Sequence, residues 1–358
     1  MMDSKRLIDT FCEFVKIPSE VPNDTEFVSY MENLLKTEGA TTKKDTFGNL
    51  IASFPAKNSN SSEYVAFSCH ADTVKPGLGI EPVIENGIIK SKGDTILGAD
   101  DKAGIAVVLE ALRSASKRPP IEFVITRCEE IGTEGSSKLD YSLVRSKIAY
   151  VLDEEDIQEL VIGAPTKFAF YVEYKGSSAH ASEPENGISA VVPAAKAISR
   201  LKLGRVDERS TANVGIFEGG EVTNGIPNTA KIVAECRSTN HNRSLELADE
   251  MEKVFISSAK EHNVKIDIKK ELKYYSFLLD ENSKVVQIAL KALAKNGINA
   301  KTKVITGGLD ANNFNRNGIS TATLGVGYRD IHTKNETLII KDAELITKAV
   351  IDIMESLA

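Results

Sequence analysis

The sequence predicts an α/β protein, a mixed and mostly parallel sheet with helices on both faces, interrupted by an inserted ferredoxin-like α+β domain. Three observations carry that prediction. Strand-like and helix-like runs alternate through the first half of the chain, the pattern of a parallel sheet covered on both faces. From about residue 168 the order becomes β-α-β-β-α-β, the ferredoxin-like sequence of elements. After about residue 276 the alternation resumes. The expected organisation is one domain from residues 1–167 and 276–358 with a second from 168–275 inside it, in keeping with a length of 358 residues.

Each element has its own signal. Leu7, Phe11, Phe14 and Val15 recur at helical spacing, and Phe27, Met31, Leu34 and Leu35 repeat the pattern before Gly39. Runs 49–54 and 64–70 read as strands, and Asn86-Gly87 in "PVIENGIIKS" suits a type I′ hairpin turn. "DKAGIAVVLEALRSASK" reads as a helix, "IEFVITR" as a strand, "SSKLDYSL" as a short helix and "IAYVLD" as a strand. In the insertion "FAFYVEYK", "ANVGIF", "TAKIVAECRS" and "VKIDIKKEL" are strands, with helices over 187–202 and 243–260. Helix 283–295, strands "TKVIT" and "ISTATLGVG", and a helix from about 341 complete the chain.

Composition limits the function. Hydrophobic residues at 42% and charged residues at 27% describe a globular chain with material for a sizeable core. A formal charge of −7 with no long basic run excludes a nucleic-acid groove or an anionic membrane surface, leaving small or neutral partners. Cys12, Cys69, Cys128 and Cys236 form no CxxC pair and are expected as reduced core thiols. No secretory leader and no apolar run of transmembrane length is seen, so a cytoplasmic location is expected.

In an open α/β sheet, ligands bind beyond the carboxyl ends of the strands. There this sequence places His70 and Asp72 ("CHADTV"), Asp100 and Asp101 ("LGADDKAG"), Glu129 and Glu130 ("CEEIG"), Asp153 ("YVLDEED") and His332 ("RDIHTKNE"). Each fragment alone is weak, because an acidic helix start is usually a cap and a His-x-Asp usually a surface pair. Together these groups would repel one another unless cations lay among them. Asp100, Glu130 and Asp153 supply three negative charges and a bound hydroxide a fourth, the charge of two Zn²⁺ ions; Co²⁺ or Mn²⁺ are substitutes. Asp72 is expected to hold the other ring nitrogen of His70. Adjacent residues leaving a strand diverge, so Glu130 binds metal while Glu129 acts as general base on a metal-bridging water. The chemistry is metal-assisted amide hydrolysis.

The motifs "SCHADTV", "LGADDKAGIAVVLEAL", "CEEIGTEGS", "AYVLD", "GSSAHASEPENGISAV" and "IHTKNE" together resemble the dinuclear-zinc exopeptidases related to peptidase T, carboxypeptidase G and succinyl-diaminopimelate desuccinylase, over nearly the whole chain and in order. The resemblance implies His70, Asp100, Glu130, Asp153 and His332 as metal ligands with Asp100 bridging, Asp72 and Glu129 as catalytic residues, and a cis Asp100–Asp101 peptide. It implies that the inserted domain serves as a lid and dimerisation surface, with His180 at the scissile carbonyl oxygen as oxyanion donor, in the same subunit or across a homodimer. Asn213, Arg237, Gly307 and Gly308 are similar to substrate-holding positions. "GADDKAG" and "CEEIG" most resemble peptidase T-like proteins, which implies a tripeptide-type aminopeptidase. Two alternatives stay open: an N-acyl amino acid deacylase or carboxypeptidase of the same family, and a non-enzymatic peptide- or metal-binding protein. The latter is expected to lack the base or a ligand, and this sequence keeps them all.

Overall fold

The computed structural model describes residues 2–358. Helices α1 (Ser4–Phe14) and α2 (Thr25–Thr37) open the chain, α1 burying Leu7, Phe11 and Phe14 and α2 burying Phe27, Val28, Met31 and Leu35. The Asp3 side chain caps α1 by accepting the Arg6 N–H at 3.0 Å. Next come β1 (Thr41–Lys44), β2 (Leu50–Phe54), β3 (Val65–His70), the hairpin β4 (Pro82–Glu85) and β5 (Ile88–Ser91), α3 (Ala99–Ser114), β6 (Ile121–Thr126), α4 (Glu134–Lys138), β7 (Ile148–Glu154) and β8 (Glu159–Ala164). Asn86 and Gly87 at the hairpin tip both have positive φ, +52° and +79°, as a type I′ turn requires.

The chain then builds β9 (Thr166–Lys175), α5 (Val191–Arg200), β10 (Gly204–Asp207), β11 (Ser210–Gly219), β12 (Thr229–Ser238), α6 (His241–Glu261) and β13 (Lys265–Tyr274). It closes with β14 (Phe277–Leu278), α7 (Lys284–Lys295), β15 (Lys301–Val304), α8 (Asp310–Arg316), β16 (Ser320–Gly325), β17 (Tyr328–Arg329), β18 (Thr337–Ile339) and α9 (Ile340–Ser356). Two compact units result. One comprises the residues up to Gly163 with Leu278–Ile305 and Leu309–Ala358; the other comprises Ala164–Phe277 with Thr306–Gly308.

The first unit is organised by a mixed sheet in the order β1-β2-β6-β3-β7-β16-β8-β14, with β15 alongside β8. Its centre, β6-β3-β7-β16, is parallel, and antiparallel pairs β1–β2, β2–β6 and β8–β16 flank it. Alternate residues of the central strands serve two cores. Phe67, Tyr150 and Leu152 pack with α1, α3 and α9, while Ala66, Val124 and Ala149 pack with Phe314 of α8. Strands buried on both faces explain why β3 and β6 are fully buried. The hairpin β4–β5 joins β17 and β18 in a separate four-stranded sheet.

The second unit carries the sheet order β10-β11-β12-β9-β13, every pair antiparallel. With the short β10 set aside, β9-α5-β11-β12-α6-β13 is the ferredoxin-like unit, and one core joins Phe170, Ile232, Met251 and Phe255. Two helices differ from their sequence expectation. α5 starts at Val191 because Ile188 and Ser177 exchange backbone hydrogen bonds at 2.9 Å, which draws the preceding residues out of helical geometry. The "SSKLDYSL" segment is not one helix. α4 ends at Lys138 and a separate 3₁₀ turn covers Tyr141–Leu143, where the Asp140 side chain accepts the Ser142 N–H.

Candidate metal centre

Register brings the strand ends level. His70 pairs with Thr126 across β3–β6, and Ser68 pairs with Val151 across β3–β7, so the chain leaving β6 and the end of β7 lie beside His70. Asp100 enters at the start of α3, behind the left-handed Gly98 (φ +72°). His332 arrives on the loop between β17 and β18, with a positive φ of +62°. The Asp100–Asp101 peptide is cis.

Asp100 is the centre of the arrangement. Its Oδ1 lies 3.0 Å from His70 Nε2 and its Oδ2 lies 3.2 Å from His332 Nε2. On the first side Asp153 Oδ1 stands 3.7 Å from the same His70 nitrogen, and the Tyr328 hydroxyl donates to it at 3.3 Å. On the other side Glu130 lies 3.0 Å from His332 Nε2. The ligating atoms of His70, Asp100 and Glu130 fall within 4.8 Å of one another, and so do those of His70, Asp101 and Asp153. Asp101 is nevertheless turned elsewhere. Its Oδ2 accepts the His70 backbone N–H at 3.3 Å and its Oδ1 points beside Gly104. Among the described residues only Asp100 addresses two different imidazoles.

The electrostatics match a site built for cations. Burial pushes the Asp153 carboxyl up to about 7 against the pull of His70, and burial with the Asp153 charge pushes Glu129 well above the usual carboxylate range. Hydrogen bonds to Asp100 and Glu130 raise His332 to about 10. Three carboxylates and two imidazoles in two sets that share Asp100 suit two divalent ions with mixed nitrogen and oxygen ligands. The residues present therefore fit the group that the motifs imply.

Asp72 departs from its expected contact. His70 Nδ1 meets the Asp72 backbone carbonyl at 2.9 Å, whereas the carboxylate is 3.6 Å away. That carboxylate instead accepts the backbone N–H groups of Glu129 and Glu130, at 2.9 and 3.1 Å. It fixes the two consecutive glutamates through their backbone, in the turn that follows β6.

Of the other expected residues, His180, Asn213, Arg237, Gly307 and Gly308 belong to the second unit. His180 is exposed, and its Nδ1 accepts the Ser182 backbone N–H at 3.2 Å with the Ser182 hydroxyl at 2.6 Å. An amide can only donate, so the network assigns the ring proton of the neutral imidazole to Nε2. Arg237 gives its Nε to Glu235 at 2.8 Å and its Nη1 to the Thr306 carbonyl at 3.2 Å. Gly308 packs where a Cβ would fall 2.1 Å from the Tyr274 ring.

Three further residues belong to the centre. Tyr328 holds Asp153, as described. Asp310, at the start of α8, is 2% exposed and accepts the Thr126 hydroxyl at the end of β6. Glu336, also 2% exposed, accepts the backbone N–H groups of Leu97, Gly98, Ala99 and Asp100 at 2.7–3.0 Å. A sequence signal existed for two of them, as Glu336 ends "IHTKNE" and Asp310 follows the glycines of "TGGLDANNF".

The chain is similar to known proteins in sequence and in structure. The model of Peptidase family M20/M25/M40 matches residues 66–356. The Bacillus subtilis protein YqjE is 37% identical, with all of both chains covered. Two solved structures superpose closely. A tripeptidase from Staphylococcus aureus has a TM-score of 0.94 at 36% identity, covering 100% of this chain and 99% of its own. An aminopeptidase PepT from Bacillus cereus has a TM-score of 0.91 at 36% identity, covering 99% of each chain. The chain belongs to Peptidase family M20/M25/M40 and is a metallopeptidase, a hydrolase of peptide bonds.

Proposed function

We propose that this protein is an exopeptidase of short peptides, a tripeptide-type aminopeptidase with two zinc ions held by His70, Asp100, Glu130, Asp153 and His332. The observation that carries the reading is Asp100, whose two oxygens address two imidazoles, each with a further carboxylate beside it. When bound, such ions polarise a carbonyl and ready a water for attack at neutral pH. Glu129 takes the proton of the attacking water and later delivers it to the leaving amine. Burial and the Asp153 charge suit that task, because they raise the proton affinity of the Glu129 carboxyl above that of an exposed glutamate.

Asp72 holds Glu129 and Glu130 through their backbone N–H groups. His180, with its proton on Nε2, donates to the carbonyl oxygen as negative charge develops there. Asn213, Arg237, Gly307 and Gly308 hold the substrate, Arg237 being oriented by Glu235.

The second unit supports a homodimer reading. β10 pairs with β11 only at Ser210, Thr211 and Ala212, so among the described residues Asn213–Gly219 have no strand on that edge. Ile216 and Phe217 there are 49% and 43% exposed, and an open apolar edge invites a strand from a second copy. Four free cysteines fit a cytoplasmic location, and among the described residues no helix is long and apolar enough to cross a membrane.

The test is a panel of tripeptides, dipeptides and N-acetyl amino acids with identification of the products. Release of the N-terminal residue from tripeptides is expected. Preferential cleavage of N-acetyl amino acids, or release of the C-terminal residue, would move the protein to the deacylase or carboxypeptidase reading.

A further inference from the structure

We infer that Glu336 is a positioning residue that sets the second of the two metal positions, the one formed by His332, Glu130 and Asp100 Oδ2. The inference rests on the metal-centre reading above. Glu336 lies four positions after His332, and its carboxylate is buried against the start of α3. There Oε2 accepts Leu97 and Gly98 at 2.9 and 2.8 Å, and Oε1 accepts Ala99 and Asp100 at 2.7 and 3.0 Å. One side chain of the His332 loop thus grips the backbone of the residue whose Oδ2 faces His332 at 3.2 Å.

The loop itself needs such an anchor. Asp330 and His332 both adopt positive φ, +56° and +62°, a region that side chains other than glycine occupy at a cost. The turn is closed locally by the Thr333 hydroxyl donating to the Asp330 carbonyl at 2.7 Å and by Glu336 N–H donating to the Thr333 carbonyl at 3.2 Å. Those bonds shape the turn but do not place it against Asp100. Glu336 does, through two oxygens that each receive two amides.

The first position is held differently. His70 and Asp153 end the paired central strands β3 and β7, and Glu336 bonds to neither strand. A glutamine at this position would turn one acceptor into a donor facing amides that can only donate. His332 and Asp100 would then lose their common tether, while His70 and Asp153 keep theirs. The first position shares Asp100 but keeps His70 and Asp153 on their strands, so the loss should fall mainly on the second ion.

The test is titration of metal-free protein with Co²⁺, followed by visible absorption and calorimetry, for wild type, E336Q and E336D. Wild type is expected to take two equivalents. In E336Q the first equivalent should bind as in wild type and the second about 10–100-fold more weakly, the usual scale for outer partners of metal ligands. E336D, which keeps the charge on a shorter side chain, should recover part of that loss. Equal weakening of both equivalents, or of neither, would overturn the inference while leaving the metal centre intact. If E336Q does not fold without metal, E336D carries the same comparison, and failure of both to fold would make Glu336 a fold determinant and also overturn it. A wild type that takes fewer than two ions would sink the metal-centre reading and this inference with it.

Discussion

The Asp72 carboxylate spans two consecutive backbone amides, accepting Glu129 N–H at 2.9 Å and Glu130 N–H at 3.1 Å. Through those bonds it orients the backbone of both residues that we propose as general base and metal ligand. Asp72→Asn preserves shape but turns an –NH₂ toward one of those donors. We expect kcat to fall about 10–100-fold with KM little changed. Steady-state kinetics on a tripeptide, with metal content measured in parallel, checks this; unchanged kcat would remove Asp72 from the mechanism.

Glu129→Gln separates proton transfer from metal binding. Glu129 stands outside the two donor sets that share Asp100, so the variant should keep its ions. Its kcat should drop by about 10²–10⁴-fold, the range for removal of a positioned acid–base group. Full activity, or loss of metal along with activity, would contradict the assignment.

Much of this was legible in the sequence because it obeyed local rules. β12 occupies Thr229–Ser238 as the alternation of "TAKIVAECRS" predicts, and α7 occupies Lys284–Lys295 beneath an amphipathic stripe. β1 escaped because "TTKK" is an exposed edge strand with no apolar face. α8 escaped because a seven-residue helix rich in asparagine is shaped by its tertiary bonds, such as those of Asn313 to Thr133 and Ser136. Among site residues, strand ends announced His70 and Asp153. Glu336 stood within a motif, but its task and that of Asp72, the binding of backbone amides, depend on long-range contacts that residue spacing does not encode.

The N-terminal helix is tied to α3 by an ion pair whose contribution is pH-dependent. Glu110 on α3 accepts Arg6 Nε and Nη2 at 2.7 and 2.8 Å and the Asp3 N–H at 2.9 Å. Burial alone would raise its pKa, but those bonds outweigh it and hold the carboxyl below the ordinary 4.5. A depressed carboxylate stabilises the fold above its unfolded pKa, and the benefit disappears as pH falls through the folded value. Glu110→Gln should cost about 1 kcal/mol at pH 7, since Arg6 remains partly exposed. The difference from wild type should shrink below pH 4.5 in denaturant melts; a constant gap would contradict the ion-pair account.

Removing the ions should cost stability as well as activity, because Asp100, Glu130 and Asp153 are left facing one another. A ligand at 100 times its Kd stabilises the native state by about 2.7 kcal/mol. Treatment with a chelator should therefore lower Tm by several degrees and abolish hydrolysis, with both restored by Zn²⁺ or Co²⁺. A melting temperature indifferent to chelation would argue against a built metal centre.

The most direct test is anomalous diffraction at the metal absorption edge from crystals of the metal-loaded protein. The account predicts two peaks flanking the Asp100 carboxylate, one within ligand distance of His70 and Asp153 and the other of His332 and Glu130. A single peak, or peaks that leave Asp100 outside the coordination sphere, would contradict it.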